Sequence, residues 1–187
     1  MTVFFMRKSI RNYLVYICLA AGFIVGVLYI ELSSGTYIHA VELLKKEYML
    51  RFSEMKLNYS FLAENIIPKR VFAALLICLS MFTPFKEVIF LLLCSWIGFA
   101  AGIEITYLLL QLKMAGILVF MAALLPQGFL YLIGMSFVHE LVMGKEDTQV
   151  SKIVKSIIAF IFILSGAIAE CYVGSRCLQW AIRMVLN

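Results

Sequence analysis

The feature that most constrains this chain is a long apolar stretch near its start. The segment from Tyr13 to Leu32 is almost wholly apolar, and its length matches the roughly 20 residues with which a helix crosses the hydrocarbon core of a bilayer. A secretory signal peptide has a shorter apolar region, followed by a cleavage site between small residues. Arg7, Lys8 and Arg11 precede the stretch, and such basic flanks stay in the cytoplasm. We therefore expect a first membrane-spanning helix behind a cytoplasmic N-terminus of residues 1–12.

The composition extends this expectation to the whole chain. Hydrophobic residues make up 64% of the 187 residues, charged residues 14%, and the mean hydropathy is +0.99. Soluble domains are typically about 45–50% apolar and about 25% charged. An ordinary soluble enzyme, a disordered tail and a nucleic-acid-binding module are therefore excluded, and a single polytopic membrane domain spanning residues 1–187 is expected. The net charge of +5 suits contact with anionic lipid headgroups.

Four further apolar segments predict an all-α bundle of about five transmembrane helices. Their expected limits are Pro68 to Thr83, Val88 to Leu110, Met114 to Val138 and Ser156 to Val173. Pro68 is expected in the first turn of the second helix, where proline is well tolerated, and Pro84 is expected to end that helix. A polar loop is expected from His139 to Lys155. Five spans place the C-terminus outside the cell.

The segment from Ser33 to Arg70 is the long polar part of the chain, and it is expected to be extracytoplasmic. Apolar residues recur there at spacings of three and four, which predicts one face of an amphipathic helix; they are Tyr37, Val41, Leu44, Tyr48, Phe52 and Met55. Such a helix either lies on the membrane surface or docks a partner, and the sequence leaves both open.

Two acidic residues, Glu104 and Glu170, lie within apolar runs. A carboxylate deep in a membrane helix costs roughly 2.5–3.5 kcal/mol on insertion scales, so each is expected to face protein or water. One interpretation is a polar hub or a partner contact inside the membrane. The other is a position near the headgroups, and it is weaker for Glu170 because that residue lies far into the last span.

Two glycine pairs have the spacing that allows close helix approach. They are Gly22 with Gly26 in the first span and Gly98 with Gly102 in the third. Internal packing of the bundle is one interpretation, and a contact with a second copy or another partner is the alternative.

The fourth span contains Pro126-Gln127-Gly128. A proline within a helix frees a backbone carbonyl and glycine adds flexibility, so this span is expected to be kinked or broken. Gln127 is able to satisfy backbone groups freed inside the protein. Discontinuous helices occur at transport sites, although a purely structural kink explains the pattern equally well.

Patterns of catalysis and of metal or cofactor binding are missing from the sequence. There is no GxSxG or HExxH motif, and no Ser/His pair on neighbouring spans. The five cysteines are scattered singly, without metal-ligand spacing. We therefore expect no enzymatic activity, no metal and no cofactor.

The order of these features resembles the stage II sporulation protein M family of bacterial membrane proteins over nearly the whole chain. The residues that carry the resemblance are Asn65 before the second span, Pro84 at its end, Gly98 and Gly102 in the third, Leu124-Leu125-Pro126-Gln127-Gly128 in the fourth and Ala169-Glu170-Cys171-Tyr172 in the last. The chain departs from the family pattern where Gln127 replaces a histidine and Cys171 an alanine. A third departure is Tyr131, where many relatives have a glutamate.

The resemblance implies a multi-pass protein of the bacterial cell membrane that acts in endospore engulfment. By the resemblance, it is a scaffold that recruits and holds peptidoglycan hydrolases at the septal membrane. Its implied partners are two extracytoplasmic hydrolases, stage II sporulation proteins D and P. The alternative is a transport-type subunit, such as a channel or an ABC-type permease partner, that uses the broken fourth span and Glu170. The sequence shows no continuous polar helix face for a conducting path, which favours the scaffold.

Overall fold

The computed structural model describes residues 2–33, 46–80, 82–143 and 148–186, and every regular element in these ranges is helical. The helices are α1 (Thr2–Ser33), α2 (Lys46–Glu54), α3 (Tyr59–Ser80), α4 (Lys86–Leu112), α5 (Ala115–Met143), α6 (Gln149–Ala169) and α7 (Ser175–Leu186), with a π-helical turn at Glu170–Gly174 between the last two. Tyr13–Leu32, Lys86–Leu112 and Gln149–Val185 are long and apolar enough to cross a membrane, and the bent α5 makes a fourth candidate. The all-α fold is confirmed, with three to four candidate spans.

The bend in the fourth apolar segment lies at the expected proline. The arms Ala115–Leu125 and Gln127–Val142 of α5 meet at an angle of 57°. Pro126 lies between them and lacks the backbone N–H that would bond to the carbonyl four residues earlier. The helix nevertheless continues through the bend, so α5 is kinked rather than interrupted.

The second apolar segment differs from expectation, because α3 begins at Tyr59 and Pro68 lies inside it. The expectation that Pro68 opens this helix was wrong. Asn58 provides the start instead, since its Oδ1 accepts a hydrogen bond from the Phe61 backbone N–H at 3.3 Å, as an N-cap side chain does. With three charged side chains, α3 is not among the candidate spans found in the described residues. The charged residues are Glu64, Lys69 and Arg70.

The polar segment expected to be a loop from His139 to Lys155 is largely helical. Helix α5 continues to Met143 and α6 begins at Gln149, so the loop was placed too broadly. Thr148 caps α6 by accepting a hydrogen bond from the backbone N–H of Ser151 at 3.3 Å. The charged residues Lys145, Glu146 and Asp147 lie outside the described residues.

The described chain divides into two compact units, of which the first contains α1 and most of α4. These two helices meet at their glycines. A Cβ on Gly98 would lie 2.1 Å from the carbonyl oxygen of Leu19, and a Cβ on Gly22 would lie 2.1 Å from that of Ser95. The second glycine of each pair is almost as tightly enclosed. Both glycine pairs therefore face the chain's own helices, whose backbones touch, as in other small-residue helix interfaces.

The second unit contains most of α2, then α3, α5 from Leu118 onward, α6, the π turn and α7. Helices α3 and α6 pack through small residues, with Ala74 and Ala159 fully buried. Gly134 brings α5 close to α6, because a Cβ there would lie 2.9 Å from Cγ1 of Ile163. Close packing through small side chains is typical of membrane helix bundles.

Helix α2 is the described part of the expected amphipathic segment. Tyr37, Val41 and Leu44 lie outside the described residues. Within α2, Met49 and Ser53 are buried. They are four residues apart and therefore share one face of the helix, but neither belongs to the predicted apolar stripe, whose last residue, Met55, is exposed.

Candidate functional site

Arg70 of α3 and Glu170 of the π turn form a two-point ion pair inside the second unit. The Nη2 atom of Arg70 donates to Oε1 of Glu170 at 2.7 Å, and its Nε donates to Oε2 at 3.0 Å. Such fork-to-fork geometry fixes both the distance and the orientation of the two groups. The side chains are 50% and 21% exposed, respectively. The carboxylate that the sequence singled out within an apolar run is thus paired with a cation from another helix.

Tyr131 of α5 completes a set of three side chains, which we call the charged cluster: Arg70, Tyr131 and Glu170. The Tyr131 hydroxyl donates to Oε2 of Glu170 at 2.7 Å. The guanidinium carbon of Arg70 lies 5.8 Å from the centre of the tyrosine ring, within the range of a cation–π contact. Gly166 of α6 leaves room for the ring, since a Cβ there would lie 2.7 Å from ring carbon Cε1. The cluster links α3, α5 and the end of α6.

The π turn begins at Glu170 and carries the carboxylate of the cluster. Its widened hydrogen bond runs from the Ser175 backbone N–H to the Glu170 carbonyl, and the Ser175 hydroxyl donates to the same oxygen at 3.2 Å. A π turn inserts one residue into an α-helix and is frequent at functional sites. The insertion rotates α7 relative to the register of α6.

Gln127 lies next to this turn, against Gly174. A Cβ on Gly174 would lie 2.5 Å from Oε1 of Gln127, so a larger residue there would require the amide to move. The Nε2 atom of Gln127 donates to the carbonyl of Ala123 at the bend of α5. Its Oε1 atom is buried without a hydrogen-bond partner in the described part of the chain. Gln127 therefore bonds to the backbone near the bend, as its position after Pro126 indicates, and also packs against the π turn.

A second group of side chains joins the beginnings of α3 and α7. The rings of Tyr59 and Tyr172 stack with centres 5.4 Å apart and planes 19° apart. The Nε atom of Arg176 donates to the Tyr59 hydroxyl at 2.6 Å, and its guanidinium carbon lies 5.4 Å from the centre of that ring. These contacts hold the first turn of α3 against the chain that follows Glu170.

Helix α7 also binds the C-terminal end of α2. Gln179 donates to the carbonyls of Phe52 at 2.8 Å and Met55 at 2.9 Å, and Nε of Arg183 donates to that of Ser53 at 2.7 Å. The last carbonyls of a helix have no partner within the helix, and a cation there is favourable to the helix dipole. The end of α2 is therefore bound by α7 of the same chain. The sequence had left open whether this segment lies on the membrane surface or docks a partner.

The structure brings together only some of the residues singled out in the sequence. Glu170 begins the π turn and Gln127 packs against Gly174 at its end, so these two lie in the same neighbourhood. Gly128 follows in α5, where an added Cβ would meet only the Leu124 side chain, at 3.3 Å and beyond. Asn65 donates from Nδ2 to the carbonyl of Phe61 in its own helix at 2.8 Å. Pro126 lies at the bend of α5 in the second unit, and the other candidates belong to the first unit: Glu104, Gly98 and Gly102.

Arg70 and Tyr131 were not among the candidate residues. Arg70 had been assigned to the polar flank of the second span, and Tyr131 had been noted only as a departure from the family pattern. A signal was present, because an acid within the membrane is normally paired with a cation inside the bundle. Arg70 adjoins an apolar run, so that rule favours it as a partner of Glu170.

The chemistry of the charged cluster is that of a structural clamp. An ionised carboxylate has about four acceptor positions, and Glu170 uses three of them, two for Arg70 and one for Tyr131. Among the described residues, no group of three or more His, Cys, Asp or Glu side chains is placed to hold a metal ion. The comparisons with known proteins found no matching family model, curated protein or solved structure.

Proposed function

We propose that the protein is a non-enzymatic membrane scaffold of the endospore engulfment machinery that holds peptidoglycan hydrolases at the septal membrane. One observation carries this proposal. The two segments with the most distinctive family resemblance, around Pro126-Gln127-Gly128 and Glu170-Cys171-Tyr172, lie far apart in sequence and meet in space, with Gln127 against Gly174. Their meeting supports the view that the resemblance reflects a shared architecture.

The state of Glu170 favours a scaffold over a transporter. A substrate or coupling ion in a transport site needs a carboxylate with free acceptor positions or a removable partner. Glu170 is held by Arg70 at two points and by the Tyr131 hydroxyl. Breaking such a pair leaves an uncompensated charge, which is costly when it is away from water. The bend of α5 is the feature that fits the alternative of a transport-type subunit, because discontinuous helices occur at transport sites.

The proposed topology puts the polar segment of residues 33–70 outside the cell, where cell-wall hydrolases act. Five spans with a cytoplasmic N-terminus place α2, the start of α3 and α7 on that side. The bonds from Gln179 and Arg183 to the carbonyls of α2 give this side a fixed surface rather than a free helix. We propose that this surface and the intramembrane helices contact stage II sporulation proteins D and P, without chemistry by the scaffold itself.

Affinity purification from sporulating cells tests the proposal. The wild-type protein should recover both hydrolases, and Glu170→Gln should recover less, because the change keeps the side-chain shape but removes the charge that holds Arg70. Glu140→Gln is a matched control, since Glu140 pairs with Lys155 at 3.6 Å and is 61% exposed. It should recover both hydrolases normally. Recovery of an ATPase in place of the hydrolases would contradict the scaffold and support the transport-type subunit.

A further inference from the structure

An open groove lies between the C-terminal end of α2, the start of α3 and one face of α7. Its volume is about 440 Å³, within the range of small-molecule sites. The side chains relevant to its chemistry are Glu54, Lys56, Tyr59, Arg176, Trp180 and Arg183. We call this the α2–α7 groove. It is separate from the charged cluster, none of whose three residues lines it.

The α2–α7 groove is positively charged. Lys56, Arg176 and Arg183 contribute three cations, against the one carboxylate of Glu54. The Nε atom of Arg176 donates a hydrogen bond to the Tyr59 hydroxyl, and the Nε atom of Arg183 donates one to the Ser53 carbonyl. Among the described residues, the terminal nitrogens of both arginines have no hydrogen-bond partner, so they are available to a ligand. Two planar donor groups in one groove favour a phosphate, which arginine binds at two points.

The position of the groove along the last long helix fits a membrane interface. Lys155 and Arg176 are separated by a helical rise of roughly 32 Å at 1.5 Å per residue, close to the roughly 30 Å hydrocarbon thickness of a bilayer. Trp180 is 62% exposed, and tryptophan is enriched at the level of the headgroups. The groove therefore lies where α7 leaves the apolar layer.

We propose that the α2–α7 groove binds the phosphodiester headgroup of an anionic phospholipid. The phosphate oxygens contact Arg176 and Lys56, and the apolar face of Trp180 lies beside the glycerol and the first acyl carbons. A zwitterionic choline headgroup carries its own cation, which the excess of basic side chains repels. The proposal requires insertion of the last long helix into a membrane, and it is independent of the scaffold role.

Trp180 provides a local reporter, because the chain has two tryptophans and the other, Trp96, is 68% exposed, so phenylalanine can take its place at little cost. Short-chain phosphatidylglycerol added to the full-length Trp96→Phe protein in neutral detergent should change the Trp180 fluorescence saturably. Lys56→Gln should weaken binding about threefold, as expected for one exposed charge, and Arg176→Gln about tenfold. Lys56 makes no hydrogen bond or ion pair with the described residues, so its loss leaves the fold intact. Lys152→Gln removes a charge at the other end of α6 and should change nothing.

Three results would overturn the proposal. An equal response to short-chain phosphatidylcholine would show that the groove does not recognise an anionic headgroup. Inorganic phosphate that displaces the lipid with the affinity of the lipid itself would make free phosphate the ligand. Unchanged affinity in both Lys56→Gln and Arg176→Gln would place the lipid elsewhere. Saturable binding that weakens in these two variants, but not in Lys152→Gln, supports the proposal.

Discussion

Replacing Gly98 by alanine tests the glycine contact between α1 and α4. The added Cβ would lie 2.1 Å from the Leu19 carbonyl oxygen and 3.0 Å from the Phe23 nitrogen. These are backbone atoms, so no side-chain rotation relieves the clash. The two helices must separate by about 1 Å to restore an ordinary contact. Overpacking of this kind costs about 1–3 kcal/mol, and the higher helix propensity of alanine returns at most about 1 kcal/mol. We expect a net loss of about 1–2 kcal/mol in the free energy of unfolding.

Gly128→Ala is the matched control for this variant. An added Cβ on Gly128 meets only Cγ and Cδ2 of the Leu124 side chain, at 3.3 and 3.9 Å, and this flexible side chain is able to move. Its free energy of unfolding should therefore stay equal or rise by up to about 1 kcal/mol. Unfolding in detergent with increasing dodecyl sulfate, followed by far-ultraviolet circular dichroism, measures both variants. If Gly98→Ala is as stable as the wild type, the close backbone contact between α1 and α4 is refuted.

Three further predictions concern the charged cluster, the bend and the topology. Arg70→Gln and Glu170→Gln should each lower the free energy of unfolding by about 1–2 kcal/mol. This value is at the low end for hydrogen bonds between charged groups, because Arg70 is half exposed. The double variant should lose less stability than the sum of the two single losses, and strictly additive losses would refute the pairing. Pro126→Ala should restore a backbone donor and straighten α5, so the distance between spin labels on its two arms should increase. If that distance is unchanged, the bend has another cause. Met55 is exposed, so Met55→Cys should react with a membrane-impermeant maleimide in intact cells when the native cysteines have been removed. Reaction only after lysis would show that the topology is the reverse of the proposed one.

Patterns that depend on length and on backbone chemistry predicted the structure well. The expected first span matches the candidate Tyr13–Leu32, and the third, expected from Val88 to Leu110, lies inside α4 (Lys86–Leu112). The bend of α5 lies at Pro126, where the missing N–H and the ring of proline predict one. These features need no knowledge of the rest of the chain.

Features that depend on a distant partner were not predicted. The start of α3 was missed for a local reason instead, because Pro68 was taken as the first-turn residue and the capping side chain of Asn58, just before the helix, was not recognised. Hydropathy alone treats Arg70 as the end of a polar flank, whereas the fold pairs it with a carboxylate 100 positions later. The π turn at Glu170 has no pattern of its own in the sequence. Its contacts are with Gln127 of another helix and with the Ser175 hydroxyl.

The most direct test of the scaffold is the position of the two hydrolases in sporulating cells that lack this protein. Fluorescent fusions of stage II sporulation proteins D and P should leave the septum, the septal peptidoglycan should stay intact, and engulfment should stall. Restoring the wild-type protein should return the hydrolases to the septum, and Glu170→Gln should not. Septal hydrolases and normal engulfment without the protein, together with failed uptake or efflux of a solute, would contradict the scaffold and support a transport-type subunit.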